Sequence, residues 1–346
     1  LFRSTPDAVY KWEVLCLNAA DGKVLWSQTT AEKKPSIPTH SSNTYASETP
    51  VVDGERVFAY FGMTGVYCLD FNGKIVWSKE LGSYPMQNGW GTGSSPAVDA
   101  ERVFVLCDNE EKSFVVALDK KDGKEVWRAN RSGRSSWSTP LVWKNKARTE
   151  LVCCGDGKVV SYAPDSGKVL WQIGGINGAF NTSPTADENM IYFGMAAGFS
   201  SGPLFAVKAG ATGDITLNRG ETSNASVAWW LPAAGPKMAS PLLYQGLLYV
   251  AGQRGMIACY DAATGKEYYN ERLSKASGVT ASPWAADGKV YVLDEAGKVF
   301  TLEAGKRFDI LAEGSVDEMC WSTPAAAGGA VFLRGRDHLF CFAQKK

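Results

Sequence analysis

The chain has 346 residues, 45% of them hydrophobic, with 36 basic and 36 acidic side chains and no net charge. That length and composition allow a packed globular protein of one large or several ordinary domains. The even charge argues against a nucleic-acid-binding surface, which needs a local excess of Lys and Arg to meet phosphates, and no apolar run approaches the ~20 residues that cross a bilayer as a helix. The many glycines (36) and aromatics (12 Trp, 13 Tyr, 15 Phe) suit short, well-packed strands joined by tight turns.

The first elements are two strands, "WEVLCLN" and "KVLWSQ", separated by an Asp-Gly turn. The start itself, "LFRSTPDAVYKW", has no signal-peptide pattern. A polar, Pro-containing loop follows over residues 28–48. From there Ser or Thr followed by Pro and an apolar strand recurs, with the prolines at 50, 96, 140, 184, 241, 283 and 324. The intervals are 46, 44, 44, 57, 42 and 41 residues, the longest containing an insertion at 208–229. Each period reads as four short antiparallel strands with turn residues between them.

A second phrase marks the third and fourth strands. It reads "CLNAADGKVLW" at 16–26, "CLDFNGKIVW" at 68–77, "ALDKKDGKEVW" at 117–127, "SYAPDSGKVLW" at 161–171 and "CYDAATGKEYY" at 259–269. A small residue opens it, a glycine (Gly22, Gly73, Gly123, Gly167, Gly265) makes the turn, and an aromatic follows four residues later (Trp26, Trp77, Trp127, Trp171, Tyr269). These residues are expected to be structural. The indole covers the seam between neighbouring units and the glycine leaves room for it. In the insertion unit, Trp229 or Trp230 takes the slot.

Four-stranded antiparallel units at ~40–50-residue spacing predict an all-β fold, a β-propeller in which each unit is one blade. The whole chain, 1–346, is expected to be a single propeller domain. It holds seven innermost-strand starts, eight third strands and seven fourth strands. Eight blades with the first incomplete at the N-terminus are favoured, because closing seven would leave one third strand unpaired. The missing strands would then have carried any signal peptide. Seven blades are the alternative.

The pattern A-x-D-x-x-x-G-K-x-x-W, carried by Ala117, Asp119, Gly123, Lys124 and Trp127, resembles the tryptophan-docking motif of the PQQ-like β-propellers. That superfamily includes the quinoprotein alcohol dehydrogenases and the outer-membrane assembly lipoprotein BamB. The repeats also resemble bacterial PQQ-binding-like β-propeller repeat proteins. The resemblance spans essentially the whole chain. It implies a non-enzymatic, BamB-like binding or scaffolding module for a protein or polymer partner, periplasmic or otherwise extracytoplasmic. Two alternatives stay open: a PQQ- and Ca2+-dependent quinoprotein dehydrogenase or its degenerate relative, and a sensor or recognition domain of a larger chain.

Loops leading into the innermost strands point to one face of a propeller. They supply the candidate binding residues Tyr45, Trp90, Trp137, Phe180, Asn181, Lys237, Met238 and Trp321. The aromatic share of this set suits a binding surface, and a channel plug is the competing reading. No catalytic residue and no metal ligand is assigned. Calcium needs six to eight oxygens, and these loops hold no Asp, Glu and Asn cluster. The two histidines, His40 and His338, are expected at the surface. The acidic "DNEEK" at 108–112 reads as a solvated hairpin tip. Cys153 and Cys154 end a strand and so point to opposite faces, which opposes a vicinal disulfide.

Overall fold

The computed structural model describes residues 8–198 and 200–343, so the first seven residues of the opening stretch lie outside the described residues. Among the described residues all regular structure is β, apart from two 3-10 turns at Gln87–Gly89 and Gln253–Gly255. The fold is a β-propeller. Its contacts cluster into two units: residues up to Lys144 with Thr149–Phe180, and Asn145–Arg148 with the residues from Asn181 onward.

The first unit holds a two-stranded sheet, Tyr10–Leu17 and Val24–Lys33, and three blades. Blade I is Val51–Val52, Arg56–Phe61, Gly65–Asp70 and Ile75–Lys79. Blade II is Ala97–Val98, Arg102–Cys107, Phe114–Asp119 and Glu125–Asn130. Blade III is Leu141–Lys144, Thr149–Gly155, Gly157–Tyr162 and Val169–Ile176. The second unit holds blade IV (Thr185–Ala186, Met190–Ala197, Ser200–Lys208, Val227–Leu231) and blade V (Leu242–Tyr244, Leu247–Ala251, Met256–Asp261, Glu267–Arg272). It continues with blade VI (Trp284–Ala286, Lys289–Leu293, Lys298–Glu303, Ile310–Ser315) and the three-stranded blade VII (Ala325–Ala327, Ala330–Arg334, Leu339–Ala343).

Sheets that begin with an inner strand number seven among the described residues. This corrects the expectation of eight blades in favour of its alternative. The argument for eight was an unpaired third strand. That strand, Tyr10–Leu17, is instead fully paired with Val24–Lys33 in a sheet of its own. Trp12 and Val14 bury against Ala59, Phe61 and Tyr67 of blade I, so the pair packs onto a blade without being one.

The recurring phrase builds the seams. Cross-strand register places Cys16 opposite Trp26, Cys68 opposite Trp77, Ala117 opposite Trp127, Ser161 opposite Trp171, Ala206 opposite Trp229 and Cys259 opposite Tyr269. The opening residue is small because a large ring lies across from it. A register shift follows each of these pairs at the turn, and such bulges re-aim a side chain. The indole then reaches the next sheet. Trp26 Nε1 donates to the Phe71 carbonyl at 2.8 Å, Trp77 to Lys120 at 2.8 Å, Trp127 to Pro164 at 2.8 Å and Trp229 to Ala262 at 3.0 Å. Each acceptor sits in the next blade's own 3–4 turn, beside that turn's glycine. A methyl on Gly73, Gly123, Gly167 or Gly265 would lie 2.7, 2.5, 2.6 or 2.8 Å from the docked ring.

Two slots depart from the pattern. Trp171 is fully buried, and its Nε1 donates to the Glu150 carboxylate of its own blade at 2.6 Å. Tyr269 packs on Phe308, and its hydroxyl is buried without a partner. Trp229, not Trp230, is the docking residue of blade IV, while Trp230 lies beside Phe205.

The Ser or Thr before each Pro does a second job. The backbone N–H of Thr49 donates to Ser95 Oγ (2.8 Å), and that of Ser95 to Thr139 Oγ1 (3.1 Å). In the second unit Ser183 donates to Ser240, Ser240 to Ser282 and Ser282 to Thr323, each at 2.9 Å. In each of these five pairs the hydroxyl of one blade caps the inner strand of the blade before it, which suits Ser and Thr to the slot.

Gly22 and Gly123 separate backbone strain from steric room. Both have positive φ (+73° and +72°), but only Gly123 lies against an indole. Gly22→Ala is expected to cost about 1–2 kcal/mol, the left-handed backbone penalty. Gly123→Ala adds overpacking and is expected to cost roughly 2–5 kcal/mol. Urea unfolding of both variants measures the difference, and equal costs would refute the docking role of Gly123.

Candidate functional site

In each blade the 1–2 and 3–4 turns lie at one end, because successive strands alternate in direction. The seams use that end. The 2–3 hairpin tip and the connection to the next blade share the other end, which carries the candidate residues.

In the first unit these residues divide. Trp90 is 41% exposed, and its ring lies 5.7 Å from that of Trp137. The pair is held rigidly. Trp137 Nε1 donates to the Gly91 carbonyl at 2.7 Å, and Asn43 Nδ2 donates to the carbonyls of Trp90 (2.7 Å) and Thr92 (3.3 Å). Asn43 belongs to the polar loop that ends at residue 48, so this loop packs onto the Trp90 segment. Tyr45 is instead a packing residue: its ring contacts Tyr10 and Trp12, and its carbonyl accepts Trp12 Nε1 at 2.8 Å. Phe180 is fully buried and presents no face.

In the second unit Asn181 Nδ2 donates to the Lys237 carbonyl (3.2 Å) and approaches Met238 Sδ at 3.5 Å, joining the connections that precede blades IV and V. Met238 and Trp321 are exposed, Trp321 next to the buried Cys320. The insertion is not a free flap, since Ala211 and Ile215 are buried.

The acidic tip is solvated only in part, at Glu111 and Lys112. Asp108 and Asn109 are buried. Asp108 receives a bidentate contact from Arg131, 2.7 Å to Nε and 3.0 Å to Nη2, and Arg131 Nη1 reaches Tyr162 Oη at 3.1 Å. Burial pushes the Asp108 carboxyl up and the Arg131 guanidinium pulls it back. Glu110 is tied to Arg134 (2.5 Å) and to Ser135 Oγ (2.6 Å). Beside it, residues including Lys112, Asn130 and Ser132 line an open polar pocket of about 410 Å3. The charge run therefore braces the connector before blade III.

Glu48 is the functional-type group that the sequence analysis passed over. Two residues before each repeat proline stand Glu48, Ser94, Ser138, Thr182, Ala239, Ala281 and Ser322, so a carboxylate occupies a slot of small residues. Aligning the repeats on their prolines would have exposed it. Glu48 is 6% exposed; its Oε1 accepts the Gly62 N–H at 3.2 Å, and its Oε2 is buried with no partner. Burial raises its pKa to about 7, against hydrogen bonds from Thr92 and Gly62 that pull it down.

His40 is exposed with Nδ1 2.7 Å from Ser42 Oγ, and His338 pairs with Glu318 at 2.7 Å. Cys153 and Cys154 are both buried and free, and burial pushes the Cys153 thiol up to about 12. In the repeated slot Cys68 and Cys259 are buried, Cys16 is half-buried and Cys341 is exposed. Among the described residues no three His, Cys, Asp or Glu side chains gather to hold a metal ion, and no helix is long and apolar enough to cross a membrane.

Two outcomes follow from these buried acids. Arg131→Ala leaves Asp108 buried and unpaired and is expected to cost about 3–5 kcal/mol in denaturant unfolding; a loss below 1 kcal/mol would contradict the pairing. For Glu48, the unfolded carboxyl ionises near 4.5 while the folded one keeps its proton to about 7. Between those values the folded state binds the extra proton, so stability falls as pH rises and the loss is complete above about 7. Glu48→Gln should match wild type near pH 4 and exceed it by up to about 3 kcal/mol at pH 8. Parallel stability–pH curves for the two proteins would count against this.

Comparison with known proteins agrees with the fold. The family described as outer membrane protein assembly factor BamB matches residues 11–187, 111–240 and 216–307. The chain is 25% identical over 300 residues to tetrathionate hydrolase of Acidithiobacillus ferrooxidans, covering 81% of this chain and 53% of that protein. It is 26% identical over 250 residues to BamB of Burkholderia pseudomallei, covering 67% of this chain and 57% of that protein. The chain thus spans little more than half the length of these relatives. In structure it is similar to BamB of Moraxella catarrhalis, with a TM-score of 0.66, 13% identity, and 96% and 99% of the two chains covered. It is also similar to a europium-containing methanol dehydrogenase, with a TM-score of 0.61, 14% identity, and 95% and 79% covered. Repeat, seam and family match agree: the chain belongs to the PQQ-like, BamB-type β-propeller family.

Proposed function

We propose that this chain is a non-enzymatic, BamB-like binding module that works outside the cytoplasm and docks a protein partner on the loop end of its blades. The observation that carries this reading is the Trp90–Trp137 pair, partly exposed yet locked by Asn43 and by the Gly91 carbonyl. Rigid, amphipathic rings bind with little loss of side-chain entropy, which is why Trp is enriched at binding hot spots. Met238 and Trp321 extend the same chemistry on the second unit. The relatives called outer membrane protein assembly factor support a protein partner and an extracytoplasmic site.

An enzyme is the second reading, a PQQ- and Ca2+-dependent quinoprotein being one form of it, and the match to tetrathionate hydrolase over most of the chain supports an enzyme. The carboxylates of the described loops support the binding reading over a calcium-held quinone. Asp108 is engaged by Arg131, Glu110 by Arg134 and Ser135, and no oxygen-rich group of carboxylates gathers.

Replacing Trp90 and Trp137 together with Ala is expected to abolish partner capture from extracts of the source organism while lowering the melting temperature by only a few degrees. Unchanged capture would sink the binding reading. Calorimetric titration with PQQ, with and without Ca2+, is expected to show no heat of binding; tight, calcium-dependent, one-to-one binding would establish the enzyme reading instead.

A further inference from the structure

In blades I–VI the third strand, which carries the small residue of the recurring phrase, is paired on both edges. The second strand sets an aromatic opposite that small residue. Phe58 faces Cys68, Phe104 faces Ala117, Tyr192 faces Ala206, Tyr249 faces Cys259 and Tyr291 faces Thr301; Val152, facing Ser161, is the exception. The residues on either side of the aromatic are apolar, as Val57 and Ala59 are in blade I and Val103 and Val105 in blade II. In three blades this ring meets the docking indole across the small residue. The centroids lie 6.0 Å apart for Phe58–Trp77, 6.1 Å for Phe104–Trp127 and 5.9 Å for Tyr192–Trp229.

Tyr10–Leu17 carries the same phrase with half of this arrangement. Val24–Lys33 pairs with one edge, and among the described residues no strand pairs with the other. Cys16 has Trp26 opposite on that one side, and Trp26 is half-exposed where Trp77 is buried. The outer face is apolar and open: Leu15 is 53% exposed and Leu17 37%, whereas their counterparts in blade II, Val116 and Leu118, are fully buried. A long strand with an open edge and an apolar face is a template for another strand.

The same repeats say what fits there. Every second strand of the blades is already paired with the third strand of its own blade. The end sequences outside the described residues, LFRSTPD and QKK, contain no aromatic flanked by two apolar residues. A second copy of Tyr10–Leu17 fits poorly: with Trp12 opposite Cys16, Glu13 falls opposite Leu15 and Lys11 opposite Leu17, where the blades place apolar side chains.

We propose that the open edge of Tyr10–Leu17 is a docking site for an extended segment of a partner protein, added antiparallel as a further strand with a Phe or Tyr opposite Cys16 and an apolar residue on each side of it. Main-chain hydrogen bonds hold such a strand and its alternate side chains select it. This is a second surface, and it does not rest on the Trp90–Trp137 pair.

The probe is a fluorescein-labelled peptide copying residues 99–106, DAERVFVL, read by anisotropy. Saturable one-to-one binding is expected. Replacing the Phe of the peptide with Ser should weaken it about tenfold or more, the loss of one buried ring. N-methylation of one alternating set of amides should abolish binding, because only one set faces the edge. With Cys341→Ser, Cys16 is the one cysteine that is not buried, and the peptide should shield it from maleimide. No binding, binding that survives both methylation sets, or binding that leaves Cys16 unshielded would overturn the site. So would a dimer of the protein, seen by sedimentation, that the peptide dissociates, since a second copy would then hold the edge. The Trp90/Trp137 double variant should bind the peptide as wild type does, and loss there would move the site to the loop end. Failure of the partner reading above would show as unchanged capture by that variant and would leave the peptide titration intact.

Discussion

The contact on which the blades depend is an indole laid over a glycine. Trp77 shows every part of it. The ring lies across from Cys68 in its own blade, swings outward at a register shift, covers Gly123 of the next blade and donates to the Lys120 carbonyl. One side chain thus fills the seam and satisfies a turn carbonyl. A buried indole of ~200 Å2 is worth on the order of 5 kcal/mol gross at ~25 cal/mol per Å2. Arg56 reinforces the same turn by donating to the Lys120 and Lys121 carbonyls at 2.9 and 3.2 Å, and Lys120 returns an ion pair to Asp53. Because the seam recurs, a four-stranded blade too small to bury both faces becomes stable beside its neighbours.

Seams and connecting loops occupy opposite ends of the blades, so the loop end takes no part in the indole–glycine contacts. It is still well braced. The Asp108–Arg131 pair, capped by Tyr162, anchors the blade II tip to the connector that follows, and Glu110 ties that connector through Arg134 and Ser135. The Trp90–Trp137 pair therefore stands on fixed backbone. Glu48 is the exception in this scheme: where Asp108 has a guanidinium, Glu48 has the Gly62 amide on one oxygen and no hydrogen-bond partner on the other. A charge that a guanidinium compensates in the first setting has no cation among the described residues to compensate it in the second.

Much of this was legible in the residues, and what was not has a physical cause. The docking role of Trp26, Trp77 and Trp127 followed from their spacing to the glycines, since the same local turn recurs. Trp171 has the same spacing yet turns to Glu150, because a buried carboxylate within its own blade competes for the indole N–H. Trp90 and Trp137 were found as loop aromatics, but Tyr45 and Phe180 came from the same reasoning and are packing residues. Sequence position placed all four on loops without saying which face of a loop each ring takes. The charge run at 108–112 misled for a related reason: its first carboxylate meets Arg131, 23 residues away, inside the protein.

By itself the sequence determined the all-β class, the four-stranded period, the inner-strand starts and the Trp–Gly partnership. All of these are written locally, in alternation, turn chemistry and spacing. Only the tertiary structure decided the blade count, because the pairing of Tyr10–Leu17 with Val24–Lys33 disposes of the strand that had argued for eight. It alone also decided which loop aromatics are exposed and which carboxylates are neutralised. Exposure and protonation depend on neighbours brought in from other blades, and a carboxyl such as Glu48 has no local signature of the partner it lacks.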